Sequence, residues 1–168
     1  MQNRPILLNS CARAATAAEA RFRIDAPITP SRGARVVALD RRAESIVRRV
    51  AEQRWSSARF FVCESPGSSN GDMADVALLS TDGSASRLST ELIGADVAVM
   101  VATADDGAEA ACAIGDACTL RGIMTAGVVI SDGFGAEATV SALRPHARVL
   151  MVTRDEHDVA EVLSALRA

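Results

Sequence analysis

Asp96-Val97-Ala98-Val99-Met100-Val101-Ala102 is the stretch that decides the fold. An acidic residue opens an unbroken apolar run, too short for a helix and rich in β-branched side chains. Such a run suits a strand buried on both faces of a parallel sheet. Downstream, residues 106–121 read as a helix closed by Gly122, a left-handed C-cap residue. A second buried strand follows over 123–130. Upstream, Arg35-Val36-Val37-Ala38-Leu39 is another short apolar run, ending at Asp40. A helix comes after it, because Ala43, Ile46, Val47, Val50 and Ala51 recur at helical spacing while Arg41, Arg42, Glu44, Arg48, Arg49 and Glu52 fill the other face.

The rhythm continues outward. Residues 58–63 and 74–79 read as strands, each closed by a turn-rich string: Glu64-Ser65-Pro66-Gly67 leading into Ser68-Ser69-Asn70-Gly71, and Ser80-Thr81-Asp82-Gly83. A weaker helix spans 136–143 and Pro145 blocks its extension. A sixth strand covers 148–152. Asp155 is placed to cap a last helix over 156–166, with Val159, Val162, Leu163 and Leu166 on one face. Alternating strands and helices imply right-handed βαβ units. The expected fold class is α/β: a doubly wound, mostly parallel six-stranded sheet, Rossmann-like, with order 3-2-1-4-5-6 and helices on both faces. The runs at 35–39, 97–102 and 124–130 are expected side by side near its centre.

Residues 1–32 differ. They hold three of the five prolines (Pro5, Pro27 and Pro30) and lack a clear period, with a short helix expected over 12–23. They read as an N-terminal arm that packs on the domain or mediates association, ahead of a single α/β domain over 33–168.

Composition excludes several classes of function. Of 168 residues, 49% are hydrophobic and 23% charged, as in a globular domain. The net charge of −3 lacks the electrostatic footprint of nucleic-acid binding. No apolar run approaches the ~18 residues a membrane span needs, and the charges at Arg13, Glu19, Arg21 and Arg23 interrupt any secretory core. A cytoplasmic location is expected, with no nucleic-acid or membrane partner. All 18 basic residues are Arg, and Tyr is absent. Schiff-base chemistry, a phosphate-loop lysine and a Tyr-Lys reductase pair are therefore out of reach. Cys11, Cys63, Cys112 and Cys118 have no metal or redox spacing and read as reduced thiols. No metal site and no cofactor motif is legible.

The string Ala95-Asp96-Val97-Ala98-Val99-Met100-Val101-Ala102, a helix, and then Gly122-Ile123-Met124-Thr125-Ala126-Gly127-Val128-Val129 resembles the second half of an FtsZ/tubulin-type nucleotide domain. There an Ala-Asp-apolar strand feeds a glycine-rich phosphate loop, and a Gly-Ile-x-Thr-x-Gly-Val-Val strand follows the helix. The first strand and helix, from Arg35 to Arg54, are similar in layout to that family's first phosphate-loop unit. The resemblance covers roughly residues 34–153. Its loops depart from the family. Thr103-Ala104-Asp105-Asp106-Gly107-Ala108-Glu109 stands where the glycine-rich loop belongs, and Asp40-Arg41-Arg42-Ala43 replaces the first loop. The resemblance thus implies a degenerate member that has lost GTPase activity, binding GTP or ATP weakly if at all.

In open parallel sheets, ligands bind beyond the C-terminal strand ends, where strand order reverses. This rule selects the segments following each strand, including Glu64-Ser65, Ser80 to Gly83, and Thr153-Arg154-Asp155. The candidate ligand-binding residues are Asp40, Arg41, Arg42, Thr103, Asp105, Asp106, Gly107, Ser131, Asp132, Gly133 and Phe134. With order 3-2-1-4-5-6, Asp40 and Arg41 face Thr103, Asp105 and Asp106 across the crevice. Each candidate also has a plain structural role. Asp105 and Asp106 suit the cap and first turn of the helix they open, with a divalent-cation site or a clamp for a cationic or hydroxylated ligand as the functional alternative. Arg41 and Arg42 sit at a helix start, where cations are mildly unfavourable, so pairing with Asp105 or Asp106 is one explanation and anion binding another. Ser131-Asp132-Gly133-Phe134-Gly135 is either a strand-to-helix turn or a ligand loop whose lone aromatic covers a ring. His146 reads as a solvated loop residue. His157 reads as a surface residue in a first helical turn, with a general base as the alternative. Cys63, beside Glu64, is expected to be a poor nucleophile. No catalytic residue is assigned.

The resulting expectation is a non-catalytic small-molecule-binding or assembly domain, not an enzyme. The alternatives are a small Rossmann-type enzyme or cofactor-binding subunit, weakened because no G-x-G-x-x-G follows the first strand, and a structural subunit of a homo-oligomer. Self-association as a dimer is the expected protein contact.

Overall fold

The structure, a computed structural model, describes residues 33–64 and 75–168. The expected arm over 1–32 with its expected helix, Cys11, and the expected turn from Ser65 to Gly71 lie outside the described residues.

Seven strands form one mixed, mostly parallel sheet: β1 (Ala34–Ala38), β2 (Arg59–Cys63), β3 (Ala77–Ser80), β4 (Ala85–Arg87), β5 (Val97–Ala102), β6 (Met124–Ile130) and β7 (Val149–Thr153). Their order is β4-β3-β2-β1-β5-β6-β7. The helices are α1 (Arg41–Ala51), α2 (Leu88–Glu91), α3 (Ala108–Arg121), α4 (Glu137–Leu143) and α5 (His157–Ala165). β1, β5 and β6 are adjacent and parallel, and β1 and β5 are buried along their whole length. This is the arrangement the apolar runs predicted, and the fold is α/β and broadly Rossmann-like.

Two apolar clusters show that the sheet is covered on both faces. Val36, Val99, Val101 and Val128 pack against Ile46, Val47 and Val50 of α1 and Val159 and Leu163 of α5. Val37, Phe61, Met100 and Val129 pack against Leu88, Ala111, Ile114, Cys118 and Leu143 on the other side. Side chains alternate between faces along a strand, so neighbouring residues of one run serve different helices.

The expectation of six strands, third included in the parallel set, needs correction. β3 pairs antiparallel with β2, and β4 turns back antiparallel on β3. A parallel connection requires a crossover, usually a helix. No helical period lies between Cys63 and Ala77. A tight hairpin turn then adds β4: Gly83 takes φ 92°, and Asp82 accepts hydrogen bonds from the Ser84 backbone and hydroxyl. Because β3 runs backwards, Ser80 to Gly83 lies at the edge opposite the one predicted for ligands.

That N-terminal edge of the parallel strands holds a charged cluster. Arg35, 7% exposed, pairs in register with Arg59 on β2. Its Nε donates to the Glu91 carbonyl at 2.7 Å and lies 3.8 Å from Glu91 Oε2. Arg59 Nη1 meets the same oxygen at 2.6 Å, and Ser86 Oγ donates to Oε1 at 2.7 Å. Glu91 is 5% exposed. Burial first, and Arg59 second, pull the Arg35 guanidinium below its ordinary value, while Glu91 acts the other way.

Candidate functional site

The crevice between β1 and β5 is occupied by the chain itself. Asp40, directly after β1, has extended backbone angles and caps α1, its Oδ1 accepting from Ala43 N at 2.8 Å. The same carboxylate reaches across to the end of β5. Oδ2 accepts from Thr103 N at 2.5 Å and Ala104 N at 3.2 Å, and Oδ1 accepts from Thr103 Oγ1 at 2.7 Å. Backbone amides at such a switch point are the groups that hold phosphate in nucleotide domains. Here an internal carboxylate takes three of them. Asp40 and Thr103 do face each other, as expected, but they bond to one another.

The next loop has a different purpose from the one predicted. Asp105, Asp106 and Gly107 form a 3-10 turn ahead of α3, and neither that turn nor α3 has a side-chain cap. Asp105 Oδ1 instead accepts from Ala138 N at 2.8 Å and Thr139 N at 3.1 Å, so it caps α4. Thr139 Oγ1 donates to the Ala104 carbonyl, closing the same contact. Asp106 is exposed. Gly107 is needed for packing: a Cβ there would stand 2.6 Å from Leu39 Cβ. Arg41 and Arg42 are exposed, and among the described residues neither pairs with Asp105 or Asp106, so the expected cross-crevice ion pairs do not form.

The open space lies one step along the sheet. A cleft of about 290 Å³ sits over the ends of β5, β6 and β7, lined by Arg42, Thr103, Ile130, Ser131, Asp132, Phe134 and Arg154. The loop after β6 builds one wall. Ser131 Oγ donates to the Phe134 carbonyl at 2.9 Å and accepts from Gly133 N at 3.1 Å. Gly133 and Gly135 both take positive φ, 105° and 78°, which only glycine adopts freely. This compact turn leaves the Phe134 ring 80% exposed. Arg154, from the end of β7, forms the facing wall, with Nη2 3.4 Å from the Asp132 carbonyl. Arg42, Thr103, Ser131, Asp132 and Phe134 are thus gathered in one place. Arg154 belongs with them, although only its position after the last strand marked it.

The remaining reactive groups are separate from the cleft. Burial, then Glu64, pushes the Cys63 thiol up to about 11, as its acidic neighbour suggested. Burial likewise raises Cys118 to about 11, whereas Cys112 is exposed. His146 is not a solvated residue: its side chain is 13% exposed and packs on Gly115, where a Cβ would come within 2.3 Å of the ring. His157 is 92% exposed, and its Nδ1 lies 2.9 Å from Asp155 Oδ1. Asp155 also accepts from His157 N, but Glu156, not Asp155, stands at the cap position of α5.

Among the described residues no group of three His, Cys, Asp or Glu side chains is arranged to hold a metal ion, and no helix is long and apolar enough to cross a membrane. No protein-family model matches the chain, and neither a curated protein nor a solved structure matches it.

Proposed function

We propose that this chain is a non-catalytic small-molecule-binding domain whose ligand enters over the C-terminal ends of β5, β6 and β7. One observation carries the reading: the cleft of about 290 Å³ gathers an exposed aromatic ring and two arginines at the sheet edge where α/β folds bind ligands. The chemistry of the lining favours binding over catalysis. Ser131 spends its hydroxyl within its own turn, and Thr103 donates to Asp40, a carboxylate already engaged by the amides of Ala43, Thr103 and Ala104. A Rossmann-type enzyme or cofactor-binding subunit is the weaker reading for that reason.

Kinship with FtsZ/tubulin-type nucleotide domains is part of this proposal, as a degenerate form. The layout of β1-α1 and of β5-α3-β6 supports it, while Asp40 on the amides of Ala43, Thr103 and Ala104 opposes phosphate at the switch point. Amide NMR during titration with Mg·GTP and Mg·ATP tests the point. No saturation below millimolar concentration is expected; micromolar binding that shifts Thr103 and Ala104 would overturn the reading.

A second reading, a subunit of a homo-oligomer, draws on β7. This edge strand exposes Val149 and Val152 at 47% and 49% and has no charge within Val149–Thr153. Native mass spectrometry reads subunit count and retained ligand together. A bare monomer would count against both readings.

A further inference from the structure

We propose that the ligand of this cleft is a small organic anion, a carboxylate or phosphate ester joined to a flat apolar group, with Arg42 and Arg154 holding the anion and Phe134 covering the ring. The inference rests on the binding reading above and specifies its chemistry.

Charge is the first ground. Arg42 lies in the first turn of α1, where a cation is mildly disfavoured by the helix dipole. Among the described residues it has no ion pair that would offset this. Arg154 makes only one long contact, to a carbonyl oxygen. Arg48, Arg49 and Arg59, by contrast, each have a carboxylate partner at or below 2.9 Å. The two carboxylates nearest in sequence to Arg42 are engaged elsewhere, Asp40 by Ala43, Thr103 and Ala104 and Glu44 by Arg48. Guanidinium groups are planar forks that match carboxylate and phosphate oxygens two at a time. Two of them lining one cleft form a receptor for such a group.

Shape is the second ground. The Phe134 ring stands 80% exposed on a turn held by two hydrogen bonds and two positive-φ glycines. An exposed aromatic on a held turn offers a stacking face at little entropic cost. A volume of about 290 Å³ lies at the lower end for ligand sites, which fits a single ring with its anion and not a dinucleotide. Asp132 on the same wall disfavours bare polyanions and favours a ligand that also carries a donor.

The test is amide NMR on the full chain with four probes: phenyl phosphate, benzoate, inorganic phosphate and phenol. Phenyl phosphate or benzoate should shift the amides of Thr103 and Ser131 to Phe134 and bind more tightly than inorganic phosphate or phenol. Which of the two binds better separates phosphate ester from carboxylate. Arg42→Ala and Arg154→Ala should each weaken that binding about tenfold or more, as expected for a charge-assisted hydrogen bond. Both side chains are exposed, so both variants should fold. Phe134→Ala should weaken the ring-bearing anion and leave inorganic phosphate unchanged. Anion binding unaffected by either arginine variant would overturn the proposal. Cleft shifts with phenol alone would overturn it too, while leaving the binding reading intact. If all four probes leave the cleft amides unmoved, both fall.

Discussion

Two pairs of arginines, one at each end of the parallel strands, are treated in opposite ways. At the N-terminal edge Arg35 and Arg59 converge on Glu91, a carboxylate supplied by the chain and 5% exposed. At the C-terminal edge Arg42 and Arg154 line a cleft together with Asp132, and among the described residues neither arginine forms an ion pair. The first pair is complete without a ligand and is structural. The second stands open. A charge cluster therefore points to a ligand only where its complement is missing, and the number of arginines alone says nothing.

The strongest way to break this contrast is to open the closed edge. Glu91→Ala leaves the buried Arg35 without its main counter-charge, with only the weaker influence of Asp96 remaining; breaking a buried pair typically costs about 3–5 kcal/mol. The Arg35 Nε bond to the residue 91 carbonyl survives, and Arg59 is half-exposed and contributes little. The expected loss is therefore at the lower end, about 3 kcal/mol. Urea unfolding should show it as a lower midpoint with unchanged slope. A loss below about 1 kcal/mol would mean that the cluster is solvated like an ordinary surface pair.

Asp40 is the next test, since its carboxylate separates the filled crevice from the open cleft. Asp40→Ala removes a helix cap and leaves the Thr103 and Ala104 amides without their acceptor, for a loss of about 2 kcal/mol. The freed amides should then accept an outside anion. Added phosphate should raise the melting temperature of the variant more than that of the parent. Equal responses would mean that Asp40 does not stand in for an anion.

These two residues also show what the sequence makes legible. The runs at 34–38, 97–102 and 124–130 announce the sheet centre because burial on both faces demands unbroken apolar residues. β4, Ala85-Ser86-Arg87, carries no such signal; it exists because a hairpin turn places it beside β3. The Ser131 to Phe134 loop is legible from its glycines and lone aromatic. The strand order brings Asp40 opposite Thr103, but that its carboxylate takes the amides of Thr103 and Ala104, 63 and 64 residues away, is not legible. Arg154 follows the strand-end rule, yet only the cleft sets it and Arg42 apart from the other described arginines. His146 reads as loop until Gly115 is seen beneath its ring.

A smaller effect separates the two adjacent acids. Asp105 caps α4 through the Ala138 and Thr139 amides, so Asp105→Ala should cost about 1 kcal/mol. Asp106 is exposed, and Asp106→Ala should change stability by less than about 0.5 kcal/mol. Chemical denaturation of the two single variants and the double should show the double equal to Asp105→Ala alone. A raised midpoint in the double would mean that the two carboxylates repel, and would return this loop to the ligand site.

The smallest effect lies in a pair that is closed but fully wet. His157 and Asp155 make the same kind of contact as Arg35 and Glu91, yet stand 92% and 64% exposed. The hydrogen bond that the His157 ring donates to Asp155, and then the charge of Asp155, raise the His157 pKa. Hydrogen bonds from the His157 backbone and ring lower that of Asp155. The signs define a window. The histidine's stabilisation is complete below its unfolded value, about 6.5, and is lost as pH rises through the raised folded value. The aspartate's is complete above its unfolded value, about 3.9, and is lost as pH falls through the lowered folded value. The pair therefore supports α5 most between those two ordinary values. Solvent screens an exposed pair, so the unfolding midpoint should barely move across that window. NMR titration is the sensitive readout. The His157 ring should titrate above the ordinary histidine range and return to it in Asp155→Asn. An unchanged value in that variant would show that Asp155 does not hold the ring in solution.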